Sequence, residues 1–389
     1  MRMNAINARI AYLISVALMF FSSCAKDSIQ KESTGEMMTI TACAAETGSR
    51  TVLQEDGTSL WWAPGDAINF FYGSEAKGKF TTKITEPSAF ASFSGSLDVA
   101  TGTIEMGHSA KDFWGVYPYS SERSCDDQSV TISVPAHQRP VAGEFPTTLF
   151  PSIAKSTSLN LAFYNVCGGL KFSVSHKDVK SFTFKAIGGQ MIAGDVKAGF
   201  DEKEKPFIVD VVSGVSEVSV VPFEGDFFEP GQEYYVVLLP GVLSDGFSVT
   251  YLRDITVGTF TMTSDVEIKR SKFGVLTGAD TDVEFVPSDE IIIFADDVAK
   301  EACVAAFDDN NDGEVSYAEA AAAMSMEELF YDYPGVQRFM ELKYFTGVTS
   351  LIKTFKGCSA LTEVAIPDPY FGYWESGFLW MCGTCFRDI

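Results

Sequence analysis

Near the C-terminal end, the run Asp308-Asp309-Asn310-Asn311-Asp312-Gly313-Glu314-Val315-Ser316-Tyr317-Ala318-Glu319 sets oxygen-bearing side chains at alternate positions of a tight polar stretch. A hard divalent cation takes about six to eight oxygen ligands, and this spacing can supply them. Asp308, Asn310 and Asp312 would give side-chain oxygens, Glu314 its backbone carbonyl, Ser316 a direct or water-bridged contact, and Glu319 both carboxylate oxygens. Gly313 permits the sharp bend, and Val315 returns one apolar side chain to a core.

That order of residues fits an EF-hand loop at each constrained position, so calcium is the expected ion. Sensor proteins pair their loops, so a single loop predicts a structural site and not a switch. An Asn/Asp-rich turn that holds no metal is the alternative. Other candidate chemistry is thinner. Cys382 and Cys385 have metal or redox spacing, but no second pair lies near them and no histidine follows His176. His108, His137 and His176 are scattered, and neither a Gly-x-Ser-x-Gly elbow nor a His-Glu-x-x-His helix is present, so no enzyme is expected. Trp61-Trp62 and Tyr117 with Tyr119 could form sugar-stacking platforms, although alternating aromatics in strands more often fill a core.

The elements around the loop are legible. Ala-rich stretches 296–307 and 317–324 predict helices on either side of it. From Met37 to about Val286 the texture is different: short runs rich in Val, Phe, Thr and Tyr alternate with Gly, Pro, Asp and Ser. Period-two alternation with closely spaced turn signals predicts antiparallel sheets, without a helix longer than three turns.

At the other end, Arg2 and Arg9 precede an uncharged run from Ile10 to Phe21, and Ser22-Ser23-Cys24 follows. These are the parts of a secretory signal, too short for a permanent span of the ~30 Å hydrocarbon core. The residues before Cys24 resemble the lipobox of bacterial lipoproteins, which implies lipid attachment at Cys24 and a membrane partner through that anchor. Ala25-Lys26-Asp27 resembles the tag that sends such lipoproteins to the outer face of the outer membrane. The chain carries 29 basic and 52 acidic side chains, a net charge of −23, which disfavours nucleic acid and anionic lipid surfaces. Besides Cys24 there are seven widely spaced thiols, which suits reduced, buried cysteines better than a disulfide scaffold.

Four segments together carry a wider resemblance: Arg50-Thr51, Trp61 through Ile68, Tyr117-Pro118-Tyr119, and Phe163 through Phe172. In that order they are similar to the recurring segments of fimbrillin-like surface lipoproteins, which implies tandem β-sandwiches, adhesive or pilus-related roles and no enzymatic activity. Beyond Tyr344, Phe355-Lys356-Gly357-Cys358 and Leu361 through Pro367 resemble one unit of a BspA-type leucine-rich repeat. After Pro367 the next unit breaks down, so one complete repeat is expected.

The expected fold is therefore mainly β: two tandem antiparallel β-sandwich domains, then a small helical EF-hand-like segment and a partial leucine-rich repeat. The expected divisions are a signal peptide (1–23), a lipidated tether (24–36), a first sandwich (37–158), a second (159–287), the calcium-binding segment (288–345) and the partial repeat (346–389). The expected function is a surface adhesin or binding protein for an extracellular protein or glycan. A pilus anchor or tip subunit, joined to fimbrial subunits by strand exchange, is the alternative.

Overall fold

The computed structural model describes residues 37–45, 52–53, 60–99 and 111–365. Cys24 and the signal segment, His108, Cys382 and Cys385 lie outside the described residues. The described residues fall into two compact units that alternate along the sequence: the first takes those up to 131 with 152–164 and 198–207, the second 132–151, 165–197 and 208–365. The expected seam at 158/159 falls inside a segment that belongs to the first unit. Strands of the same texture join either unit, so composition holds no signal for which of them a given strand enters.

The main strands of the first unit are β1 (Met38–Ala44), β2 (Ala67–Tyr72), β3 (Ala76–Thr82), β4 (Phe90–Gly95), β5 (Phe113–Tyr117), β6 (Ser152–Ser156) and β7 (Asn160–Asn165). Their pairing runs β2-β5-β6-β7-β1-β4-β3 and returns to β2, so the hydrogen bonds close into a ring. Most pairs are antiparallel, but β1 lies parallel to β7, with Thr41 opposite Asn160 and Ala44 opposite Phe163. β1 shows why the ring forms: Met38, Ile40 and Ala42 point inward and are buried, while Thr39 and Thr41 face outward. Trp62 fills the interior, fully buried, with its ring edge-on to Phe93 at 4.9 Å, Phe163 at 5.2 Å and Tyr117 at 5.5 Å. The turn that delivers it is Ala63-Pro64-Gly65-Asp66. Gly65 has φ 82°, the Asp66 amide bonds the Ala63 carbonyl at 3.2 Å, and the Asp66 carboxylate accepts the Ala63 amide at 2.7 Å.

In the second unit the main strands are β8 (Gly168–Ser173), β9 (Val179–Ala186), β10 (Ala193–Phe200), β11 (Pro206–Val215), β12 (Glu217–Val220), β13 (Tyr234–Leu238), β14 (Phe247–Arg253), β15 (Thr256–Met262) and β16 (Phe273–Thr277), with the ends of β10 and β11 given to the first. One sheet runs 137–138, β12, β9, β14, β15, 286–287; another runs β13-β8-β16, with β8 parallel to β16. Phe172 stacks on Phe182 at 4.5 Å and on Tyr234 at 5.4 Å in its core. Among the described residues from Met37 to Val286 there is no α-helix, only a 3-10 turn at Thr147–Leu149.

The last part of the second unit has a core of its own, from Ile292 to Leu361. It begins with α1 (Asp297–Phe307) and α2 (Tyr317–Ala322), then two stacked coils. In the coils, the amides of Glu328, Phe330 and Asp332 bond the carbonyls of Ile352, Thr354 and Lys356 at 3.1, 3.1 and 2.8 Å. Arg338–Phe339 pairs in parallel with Glu363–Val364, about 25 residues on. Phe330, Val336 and Phe339 of the first coil share one core with Phe355, Cys358 and Leu361 of the second, Phe330 stacks on Phe355 at 5.6 Å, and Tyr333 is exposed.

Candidate metal-binding loop

The loop 308–319 joins the C-terminal end of α1 to the capped start of α2. Asp296 opens α1: one carboxylate oxygen accepts the amides of Val298 and Ala299 at 2.9 and 3.1 Å, and the other accepts those of Gln337 and Arg338 at 2.7 and 3.1 Å. Burial alone would raise the Asp296 pKa, but these amides outweigh it and hold the carboxyl below its ordinary value. Ser316 opens α2 with a capping box: its hydroxyl accepts the Glu319 amide at 3.2 Å, and the Glu319 carboxylate accepts the Ser316 amide at 2.9 Å.

Within the loop, the carboxylate and amide side chains of Asp308, Asn310, Asp312 and Glu319 accept backbone amides. Asp308 takes those of Asp312 at 3.1 Å and Gly313 at 2.9 Å; Asn310 takes that of Asp312 at 2.8 Å; Asp312 takes that of Glu314 at 2.9 Å. Glu319 reaches back to the amides of Asp309 and Asn310 at 3.0 and 3.3 Å. Burial works to raise the Glu319 pKa, and its bonds to Ser316, Asn310 and Asp309 reverse the effect, so it lies below the ordinary glutamate value. The Glu314 side chain turns away, to Lys300 Nζ at 2.6 Å, which leaves only its backbone carbonyl for the loop. Gly313 has φ 85° and Asn311 φ 60°, the left-handed backbone that the bend requires.

Val315 is fully buried, and its carbonyl accepts the Ile292 amide at 2.9 Å. The six predicted metal residues thus sit on one loop, in order. The oxygen donor set suits calcium. Among the described residues, however, no group of three or more His, Cys, Asp and Glu side chains converges as a metal cage. The loop carboxylates are occupied with amides.

The remaining candidates resolve one by one. Trp62 and Tyr117 are core, while Trp61 is 38% exposed and Lys79 Nζ lies 4.7 Å from the Tyr119 ring. Cys43, Cys125, Cys167, Cys303 and Cys358 are in the thiol form, the last three buried. Burial pushes the Cys125 pKa up to about 12, against thiolate reactivity. His137 lies in a short strand and His176 packs edge-on against Phe285 at 5.4 Å. One feature that the sequence does not announce is a cleft of about 480 Å³ on the first unit, lined by residues far apart in the chain, among them Lys155, Tyr164, Phe200 and Glu204.

No family profile matches the chain, and no curated protein matches it. It is similar to solved structures, among them these three. A candidate cell adhesion protein from Bacteroides ovatus ATCC 8483 shares 10% identity over 65% of this chain and 96% of its own, with TM-score 0.38. A second, from Bacteroides thetaiotaomicron VPI-5482, shares 11% over 55% and 80%, with TM-score 0.28. A fimbrial protein from Bacteroides ovatus ATCC 8483 shares 10% over 78% and 64%, with TM-score 0.27. Likeness at this level assigns no role to any residue of this chain, whose own strands establish a mainly β architecture.

Proposed function

We propose that this chain is a non-enzymatic cell-surface lipoprotein, anchored through Cys24 in the outer membrane, that acts as an adhesin or binding protein. The observation that carries the reading is the closed hydrogen-bond ring of the first unit. A subunit built for strand exchange leaves a sheet open for a donor. Here each strand of the ring has a partner on both sides, and the interior is filled by Trp62, Phe93 and Phe163. Such a unit is complete and can present its outer face to a ligand. The test is binding of the mature chain to arrayed glycans and matrix proteins, beside light scattering of the same chain alone. Saturable binding by a monomer supports the reading; polymers without binding sink it. Palmitate labelling of wild type and Cys24→Ala tests the anchor separately.

In this reading the loop 308–319 holds a structural calcium ion through Asp308, Asn310, Asp312, the Glu314 carbonyl, Ser316 and Glu319. Without a cation the three carboxylates repel one another and stay on their amides; calcium would draw them inward. The stacked coils that follow would be the start of a leucine-rich repeat array, with the loop and α1 covering its first turn.

One observation favours the pilus alternative. In the second unit β11 is, among the described residues, an edge strand whose Val209, Val211, Val212 and Val215 are 47, 40, 59 and 42% exposed. A long, apolar, unpaired edge invites strand addition. Charged substitutions at Val211 and Val212 would abolish assembly on that route and leave ligand binding intact.

A further inference from the structure

We propose that the cleft on the outer face of β5, β6 and β7 is a binding site for a neutral saccharide. The proposal rests on the adhesin reading and names its ligand class. The strand pairing builds the floor: Lys155 on β6 stands opposite Trp114 on β5, and Ala162 and Tyr164 face outward on β7 while Leu161 and Phe163 point to the core. Phe200 lies over Trp114 at 5.9 Å and edge-on to Tyr164 at 5.8 Å, which gives the cleft an aromatic wall. The opposite wall is polar. The turn 201–205 is held by the Asp201 carboxylate, which accepts the amides of Lys203 and Lys205 at 2.9 and 2.8 Å, and it presents Glu204.

The chemistry selects the ligand. The cleft volume of about 480 Å³ lies within the range of small-molecule sites, roughly 300–1,000 Å³. Tyr164 and Phe200 offer surfaces for the C–H face of a pyranose ring. Glu204 accepts hydroxyl protons, and Ser156 and Thr157 both donate and accept. Anionic ligands meet Asp112, Asp201 and Glu204 in a chain of net charge −23. Cations meet Lys155, whose ammonium is 3.0 Å from Asp112 and so already neutralises it, and Lys205, which sits 4.9 Å from the Tyr164 ring centre. A neutral, hydroxyl-rich ring fits both walls.

The experiment titrates the full mature chain, made soluble by Cys24→Ala, with maltotriose, cellotriose, mannotriose and chitotriose, and with sulfated and amino-sugar counterparts. Binding is read by calorimetry. At least one neutral trisaccharide should bind saturably, and Glu204→Gln and Tyr164→Ala should each weaken it roughly tenfold, the loss of one charge-assisted hydrogen bond or one stacking face. Glu204→Gln lies on an exposed turn and guards against a folding artefact in Tyr164→Ala. Preference for the sulfated sugars, no neutral binding at millimolar concentration, or binding that both substitutions leave unchanged would overturn the proposal. If the chain still adheres to arrayed matrix proteins in that case, the adhesin reading stands and only the cleft is refuted; if it adheres to nothing, both fall.

Discussion

The Ile292 amide donates to the Val315 carbonyl at 2.9 Å, and Ile291 bridges Ser316 beside it in antiparallel fashion. The exposed backbone of a lone loop is thereby satisfied by the chain that leads into the second unit's last segment. The loop needs no second copy of itself, and it is welded to a core that runs on to Leu361.

Calcium should therefore raise hydrogen-exchange protection across 290–365, including the stacked coils, and leave β1 to β7 unchanged. At free calcium tenfold above the dissociation constant the added stability is about 1.4 kcal/mol. Glu319→Ala removes a charge and two ligand oxygens and should weaken binding most in calorimetric titration. Unchanged protection, with no saturable binding below about 1 mM, would reduce the loop to an acidic turn.

The same segment should be acid-sensitive. Asp296 and Glu319 both have folded pKa values below their ordinary ones. The stability they contribute is therefore present above the unfolded carboxylate range and is lost as pH falls through the lower folded values. Protection factors in 296–319 should fall from about pH 4.5 downward, and Asp296→Asn should flatten that response while giving up the bonds to the Gln337 and Arg338 amides. Protection factors, corrected for the intrinsic pH dependence of exchange, that stay constant between pH 3 and 6 would contradict it.

Phe355→Ala should cost about 3–5 kcal/mol, because its ring packs on Phe330 and Phe339 in one core. Phe339 in turn touches Phe345, and Phe345 touches Phe307 at the foot of α1, so the cavity should also lower calcium affinity. Calorimetry on the variant decides whether coil and loop are one cooperative body.

Gly169→Ala should prevent the second unit from folding, since a Cβ there would run into the Val236 carbonyl of the neighbouring strand. Gly168 meets the Lys269 carbonyl in the same way. Loss of the cooperative transition by near-ultraviolet circular dichroism is the expected result.

Those glycines show how much was legible in advance. The segment Phe163 through Phe172 stood out as a pattern, but its Gly-Gly pair has meaning only once β13 is known to lie against it. The acidic turn 308–319 between two helices was readable because its residues are local, and the caps of α1 and α2 form where the alanine runs begin. Strand partners were not readable: β1 pairs with β7 across more than a hundred residues of similar texture, and the cleft by Tyr164 draws on positions from 112 to 204. Local periodicity fixes which way a side chain points, not what it meets.

The interleaving has a consequence for how the chain comes to be folded. The ring is sealed by β1 against β7, and the first unit also needs 198–207, so nothing made before that point can finish it. Contacts of such long range are formed slowly, since loop closure must come before the contacts that reward it. On a secretory route the early strands would emerge with open edges and wait, exposed to aggregation, for the later ones. A holding chaperone in the compartment of folding should raise the yield of this protein more than that of a sandwich whose strands pair with their neighbours in sequence.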